Sequence, residues 1–112
     1  MRYKPIVQID LDGVLNEYNG DYVENFIPPI KKGAKDFLKK LYSEYKLVLF
    51  TARNAKIAEK WLIDNGIDNY FEEVNNTKKH AYLTIDDRCI CFNGNYDILL
   101  ENIQNFKVWY KC

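Results

Sequence analysis

The sequence predicts an α/β fold, a three-layer α/β/α sandwich built around a mainly parallel sheet of about five strands. Short apolar runs rich in β-branched residues alternate along the chain with longer segments whose apolar residues recur at helical spacing. The chain has 112 residues, of which 47% are hydrophobic. This length and composition predict one domain, residues 1–112, with one buried core.

The N-terminal part predicts a strand, a hairpin and a helix. Residues 5–11 form a short apolar run that ends at two aspartates and a glycine, which predicts a buried strand. Asn19-Gly20 is a two-residue turn signal, so the residues on either side of it are predicted to form a simple hairpin. A helix is predicted within residues 31–45, whose apolar stripe comprises Ala34, Phe37, Leu38, Leu41, Tyr42 and Tyr45.

The middle of the chain predicts two further strands and a helix, and then a fourth strand. Residues 46–51 (KLVLFT) predict a second buried strand. A second helix is predicted at about 54–65, with Gly66 as its C-terminal stop. A weaker strand is predicted within residues 70–74, and a more apolar one at 81–85.

The C-terminal part predicts a last helix. Within residues 95–105, one helical stripe comprises Tyr96, Leu99, Leu100 and Ile103. Residues 106–110 are compatible with a short edge strand. This order of elements is typical of a parallel, Rossmann-like sheet with helices on both faces.

Charge and cysteine content narrow the class of protein. Sixteen Lys and Arg residues balance sixteen Asp and Glu residues, so no overall field attracts nucleic acid or an anionic membrane. No apolar run approaches the roughly 20 residues of a membrane helix, and the N-terminus lacks a signal-peptide pattern, so a cytoplasmic protein is expected. The three cysteines, Cys89, Cys91 and Cys112, are interpreted as small buried apolar residues in a reducing compartment.

Acidic residues directly follow two of the predicted strands. Asp10 and Asp12 follow the first strand, and Asp86 and Asp87 follow the fourth. In parallel sheets, ligands bind at the carboxyl ends of the strands. Four carboxylates gathered there would repel one another by roughly 1 to 4 kcal/mol per pair at about 4 Å, so a compensating cation is expected. Carboxylate oxygens are the ligands that suit Mg²⁺.

The second strand and a pair of lysines offer groups that suit a phosphate. Thr51 provides a hydroxyl, and the turn after it leads into a helix N-terminus, where backbone N–H groups attract anions. Lys78 and Lys79 lie just before the fourth strand, and one of them can supply a positive charge for a phosphoryl oxygen. Together with the carboxylates, these groups indicate metal-assisted phosphoryl transfer.

Four short motifs resemble, in order, those of the haloacid dehalogenase-like (HAD) phosphohydrolases. They are DLDGV at 10–14, FTAR at 50–53, Lys78, and IDDR at 85–88. The resemblance covers nearly the whole chain and is strongest to small bacterial and phage-type hydrolases whose fourth motif ends in IDDR. It implies a HAD-type sheet and a magnesium-dependent phosphatase that acts on phosphate monoesters.

The resemblance also implies roles for the acidic residues. Asp10 would attack phosphorus and form an aspartyl-phosphate, and Asp12 would act as general acid and then as general base. Magnesium would be held by the Asp10 carboxylate, the Asp12 backbone carbonyl and the Asp86 carboxylate. Asp87 would assist directly or through a water molecule.

The phosphate would be bound, on the same resemblance, by residues of the second and third motifs. Thr51 and the N–H of Ala52 would contact the phosphate. Lys78, which the spacing favours over Lys79, would pair with Asp10 and with the transferring group. Arg53 would bind substrate beside them.

HAD proteins insert a cap domain after the first or the third strand, and this chain has room for neither. The site would therefore be open to a bulky substrate or covered by a second subunit of a homo-oligomer. Arg88 would either bind substrate there or pair with the acidic cluster. The alternatives are a nucleotidase or nucleic-acid-end phosphatase using the same site, a non-catalytic phosphate-binding or regulatory protein, and a phosphoacceptor module of the response-receiver type.

Overall fold

Four parallel strands form one sheet in this computed structural model, which describes residues 3–78 and 80–111. The strands are β1 (Ile6–Asp10), β2 (Lys46–Phe50), β3 (Phe71–Asn75) and β4 (Leu83–Ile85). Their order across the sheet is β3-β2-β1-β4, and every neighbouring pair is parallel. The predicted α/β class and the parallel sheet are confirmed, with four strands in the described residues where about five were expected.

Three helices connect or follow these strands, close to the predicted bounds. They are α1 (Ala34–Tyr42), α2 (Ala55–Asp64) and α3 (Tyr96–Asn105). The Asn54 side chain accepts hydrogen bonds from the N–H groups of Lys56 and Ile57 and thereby fixes the start of α2. Gly66, just past the end of α2, adopts a φ of 69°, as the sequence predicted for a C-terminal stop.

The core lies between one face of the sheet and the first two helices. Alternate residues of β1 and β2 point to this face, where they join buried side chains of α1 and α2 in one cluster: Val7, Ile9, Leu47, Leu49, Ala34, Leu38, Ala58, Trp61 and Leu62. Because the sheet is anchored by this cluster, the loops at the carboxyl ends of its strands have a rigid support.

The α3 helix contributes no buried residue. Its predicted apolar stripe is largely exposed, with Tyr96 at 73% and Leu100 at 63%. Cys89 and Cys91, which precede this helix, are both exposed, so their interpretation as buried residues was wrong. Cys112 lies outside the described residues. The apolar pattern of this segment is real, but no helix or strand of the described residues packs over it closely enough to bury it.

The predicted hairpin is replaced by a wide loop, residues 17–29, called the 17–29 loop below. A single antiparallel bridge between Asn16 and Ile30 closes this loop. The Asn19 side chain accepts a hydrogen bond from the N–H of Asp21, which turns the chain locally and makes no strand ladder. The hairpin prediction was therefore wrong because a side-chain contact, rather than strand pairing, shapes the Asn19-Gly20 turn.

The short edge strand considered for residues 106–110 is also absent. Trp109–Lys111 forms a 3₁₀ turn instead. The Trp109 ring N–H donates to the Gly13 carbonyl at 2.6 Å, and this contact draws the segment onto the loop after β1 rather than onto a sheet edge. None of the helices in the described residues is long and apolar enough to cross a membrane.

Candidate functional site

The site lies where β1 and β4 end beside each other. Ile9 is in register with Ile85 in this parallel pair, so Asp10 and Asp86 occupy equivalent positions at the carboxyl edge. From β1 the chain proceeds to β2 and β3 on one side, whereas β4 pairs with β1 on the other side. The carboxylates therefore lie at the topological switch point of the sheet, which is where open parallel sheets bind ligands.

Three of the four predicted carboxylates meet there. Asp10, Asp86 and Asp87 each offer one oxygen, and these oxygens all lie within 4.8 Å of one another. Burial, followed by the charges of Asp86, Asp87 and Asp12, raises the pKa of Asp10 from 3.8 to about 8. Burial and the neighbouring Asp86 also raise the pKa of Asp87. The chain therefore holds negative charge here at a free-energy cost that a cation would relieve.

One oxygen of this cluster has no hydrogen-bond partner. Asp87 Oδ2 is buried and unpaired among the residues that the structure describes. An unpaired buried carboxylate oxygen is costly unless something else satisfies it. Three converging carboxylates, one of them with an orphaned oxygen, fit a hard divalent cation such as Mg²⁺. Asp10, Asp86 and Asp87 are the residues that would hold it.

The fourth carboxylate, Asp12, has different partners. Arg53 Nε donates to its Oδ2 at 2.7 Å and Arg53 Nη2 to its Oδ1 at 3.2 Å. Asn16 Nδ2 also donates to Oδ1, at 2.9 Å. The Asp12 carboxylate therefore does not belong to the three-carboxylate cluster. The magnesium ligand that the resemblance implied at this residue, its backbone carbonyl, stays a prediction.

A cavity of about 290 Å³ opens at the carboxylates. All four aspartates line it, and its other walls are Tyr18, Tyr22, Ala52 and Arg88. Arg88 lines this cavity and donates through Nη2 to the Tyr110 hydroxyl at 3.1 Å; its binding of substrate stays a prediction. The two tyrosines, both from the 17–29 loop, give this acidic cavity an aromatic wall.

The turn after β2 is held in place by side-chain contacts. The Thr51 hydroxyl accepts from the Arg53 N–H at 3.1 Å. Asn76 Nδ2 donates to the backbone carbonyls of Thr51 and Arg53, at 2.7 and 2.6 Å. Thr51 is buried and does not line the cavity, whereas Ala52 does. The predicted phosphate contact of the Ala52 N–H is compatible with this placement.

The lysine of the third motif is not brought to the cavity. Lys78 is exposed, and it neither lines the cavity nor forms an ion pair with any residue in the described part of the chain. Its pairing with Asp10 stays a prediction. Lys79, the alternative, lies outside the described residues. The sequence placed both lysines by spacing alone, and spacing does not fix the direction of a side chain in a loop.

Several residues of the site were not predicted as such. Asn16 is fully buried and holds the turn after β1, since its Oδ1 also accepts from the Gly13 N–H at 3.0 Å. Asn76 and Trp109 fasten the neighbouring loops. A signal existed only for Asn16, which lies four residues after Asp12, within reach of a local turn.

Comparison of the chain with family models, curated proteins and solved structures found no match.

Proposed function

We propose that this protein is a magnesium-dependent phosphohydrolase of the HAD type that cleaves phosphate monoesters through an aspartyl-phosphate. The observation that carries the proposal is the convergence of Asp10, Asp86 and Asp87 at the switch point of a parallel sheet. Such a cluster suits a reaction in which anionic oxygens must approach carboxylates, because a divalent cation offsets both sets of charges. Mg²⁺, when bound, would neutralise charge on the phosphoryl oxygens.

The reaction assigns a separate task to each of the two aspartates of the first motif. An oxygen of Asp10 attacks phosphorus, the bond to the ester oxygen breaks, and Asp12 gives the departing oxygen a proton. Water then attacks the phosphoryl group on Asp10. Asp12 takes a proton from this water, the bond between phosphorus and Asp10 breaks, and phosphate leaves. The different surroundings of the two carboxylates support this division of tasks.

The finer features of the fold belong to the same proposal. A HAD-type, capless, three-layer arrangement would place α3 as the layer opposite α1 and α2. The absence of a cap domain is supported by the connection between β1 and α1, because a wide loop closed by one bridge occupies it.

A cytoplasmic location and cover of the open cavity by a second subunit are likewise proposals. The charge balance, with sixteen residues of each sign, argues against a nucleic-acid partner.

The second candidate function is a nucleotidase, and the aromatic wall of the cavity favours it. Tyr18 and Tyr22 line the same cavity as the carboxylates. Aromatic side chains stack on nucleobases with about 1 to 3 kcal/mol per base. Nucleoside monophosphates therefore belong in any substrate panel for this protein.

The test is a hydrolysis assay with Mg²⁺ and a panel of phosphate monoesters, run on the wild type and on Asp10→Asn. We expect phosphate release by the wild type, at least a thousandfold loss in the variant because the nucleophile is gone, and loss of activity in EDTA. Asp36→Asn is the matched control, since Asp36 is exposed on α1. Hydrolysis that survives Asp10→Asn unchanged would refute the mechanism.

A further inference from the structure

Arg53 is a charged residue in a fully buried position. Its side chain is only 1% exposed, and it is the largest of the fully buried side chains in the described residues. A buried charge is tolerated only where it is paired and hydrogen-bonded. The partners of the Arg53 guanidinium therefore indicate what this residue does.

One edge of the Arg53 guanidinium, formed by Nε and Nη2, donates hydrogen bonds to the Asp12 carboxylate. The two hydrogen bonds, from Nε to Oδ2 and from Nη2 to Oδ1, form a fork that fixes both the position and the plane of the carboxylate. Asn16 occupies a further acceptor position on Oδ1. In the described part of the chain only Arg53 Nε donates to Oδ2, which leaves one acceptor position of this oxygen open for exchange of a proton with substrate or water.

The remaining nitrogen of the guanidinium, Nη1, donates hydrogen bonds to the backbone of the 17–29 loop. Arg53 Nη1 donates to the carbonyl of Val23 at 2.8 Å and to that of Glu24 at 3.3 Å. The Tyr22 ring centroid lies 4.7 Å from the guanidinium carbon, within the range of a cation–π contact. These contacts leave at most one N–H of Arg53 for any other group, and the side chain does not line the cavity.

We propose that Arg53 is a positioning residue that fixes the Asp12 carboxylate and couples its orientation to the 17–29 loop. This proposal rests on the phosphohydrolase function above and replaces direct phosphate binding as the role of Arg53. Proton transfer by a positioned side chain contributes roughly 10²- to 10⁴-fold to a rate. A fixed Asp12 matters most when the departing oxygen is strongly basic, because that oxygen must receive a proton as its bond breaks.

The test compares two esters of similar size on Arg53→Met and Arg53→Lys. Benzyl phosphate has a basic leaving oxygen, and 4-nitrophenyl phosphate has a weakly basic one. Because Asp12 also activates the water that hydrolyses the aspartyl-phosphate common to both esters, the comparison uses kcat/KM, which reports the step in which the ester oxygen departs. In both variants we expect kcat/KM for benzyl phosphate to fall about 100-fold and kcat/KM for 4-nitrophenyl phosphate to fall less than about 5-fold. Arg53→Lys is the milder variant, because it keeps the positive charge, whereas Arg53→Met would leave the half-buried Asp12 with the Asn16 amide but without a cation.

Other roles for Arg53 give different results. If Arg53 binds phosphate, kcat/KM falls by the same factor for both esters and inhibition by inorganic phosphate weakens, which would overturn the proposal. If Arg53 only supports the fold, both kcat/KM values fall by the same factor, which would also overturn it. When Asp12 is replaced by alanine, Arg53→Lys should no longer change the ratio of kcat/KM for benzyl phosphate to kcat/KM for 4-nitrophenyl phosphate.

A measurement without substrate separates this proposal from the proposed function. The ¹³C resonance of the Asp12 carboxyl should move in Arg53→Lys, while that of the exposed Asp36 stays in place. An unmoved Asp12 resonance would overturn the positioning role. Absence of hydrolysis by the wild type would instead refute the phosphohydrolase function, and the resonance would still decide whether Arg53 positions Asp12.

Discussion

Gly13 shows how one residue of the first motif shapes the acidic cluster. Its φ is 86°, a conformation that residues with a side chain rarely adopt. A Cβ at this position would lie 2.7 Å from Asp87 Cγ and would overlap the carboxylate. The glycine therefore allows Asp87 to lie against the turn after β1, which is how its Oδ2 becomes buried and unpaired.

We expect Gly13→Ala to lower the free energy of unfolding by about 3 kcal/mol, from backbone strain and from displacement of Asp87. Stabilisation by Mg²⁺ should also be lost. Urea unfolding with and without Mg²⁺ measures both effects. Gly33→Ala is the matched control, because Gly33 has a similar φ of 90° but an added Cβ would meet open space. This variant should lower the free energy of unfolding by about 1 kcal/mol and should keep the stabilisation by Mg²⁺. Equal losses in the two variants would contradict the role of Asp87.

Residue positions that depend on strand ends could be predicted from the sequence, and side-chain partners could not. Asp10 and Asp86 follow neighbouring parallel strands, so their proximity is a consequence of the fold class. The partner of Asp12 is different, because Arg53 is 41 residues away in sequence and no local spacing brings the two side chains together. Nothing in the sequence distinguishes an arginine that contacts substrate from one that orients a carboxylate.

At the scale of elements, the two C-terminal helices begin alike but are supported differently. Asn54 caps α2 and Asn95 caps α3, each with its side-chain oxygen. The α2 helix buries Ala58, Trp61 and Leu62, whereas α3 buries no residue. Since most helix stability in proteins comes from packing, α2 should unfold with the core and α3 should unfold separately at lower cost.

The two caps therefore predict unequal effects on global stability. Asn54→Ala should lower the free energy of unfolding by about 1 kcal/mol, because two backbone N–H groups lose their acceptor and the helix is part of the core. Asn95→Ala should change it by less than about 0.3 kcal/mol, and should instead speed hydrogen exchange within α3. Urea unfolding and amide exchange test this pair. A loss for Asn95→Ala as large as that for Asn54→Ala would show that α3 is packed against the core.

Elements defined by periodicity were predictable, and those defined by side-chain contacts were not. The bounds of the strands and helices agree with the predicted ranges to within about three residues, because a buried face imposes a regular apolar pattern. The 17–29 loop and the Trp109–Lys111 turn follow no such pattern. A single bridge and a ring N–H on the Gly13 carbonyl determine their course. The apolar stripe of α3 correctly indicated a helix but not its exposure.

For the whole molecule, a net charge of zero conceals a strong local imbalance. The acidic and basic residues cancel over the chain, yet three carboxylates converge at one edge of the sheet. The folded chain raises the pKa of Asp10 to about 8, chiefly by burial and then through the charges around it. The folded state therefore binds this proton more tightly than the unfolded state does. The contribution of Asp10 to stability is fully present below about pH 4 and is lost as the pH rises toward 8.

This linkage predicts how stability depends on pH when divalent ions are removed. In EDTA, Asp10→Asn should become more stable relative to the wild type as the pH rises from 4 to 8, by about 2 kcal/mol after allowance for the partial exposure of Asp10. Mg²⁺ at pH 8 should stabilise the wild type and leave Asp10→Asn nearly unchanged, since the cation offsets the charge that the variant lacks. Urea unfolding at four or five pH values measures the difference, with Asp36→Asn as the control. If the difference in free energy of unfolding between Asp10→Asn and wild type stays constant across this pH range, Asp10 ionises in the folded chain as freely as in the unfolded one. The acidic cluster would then need no cation.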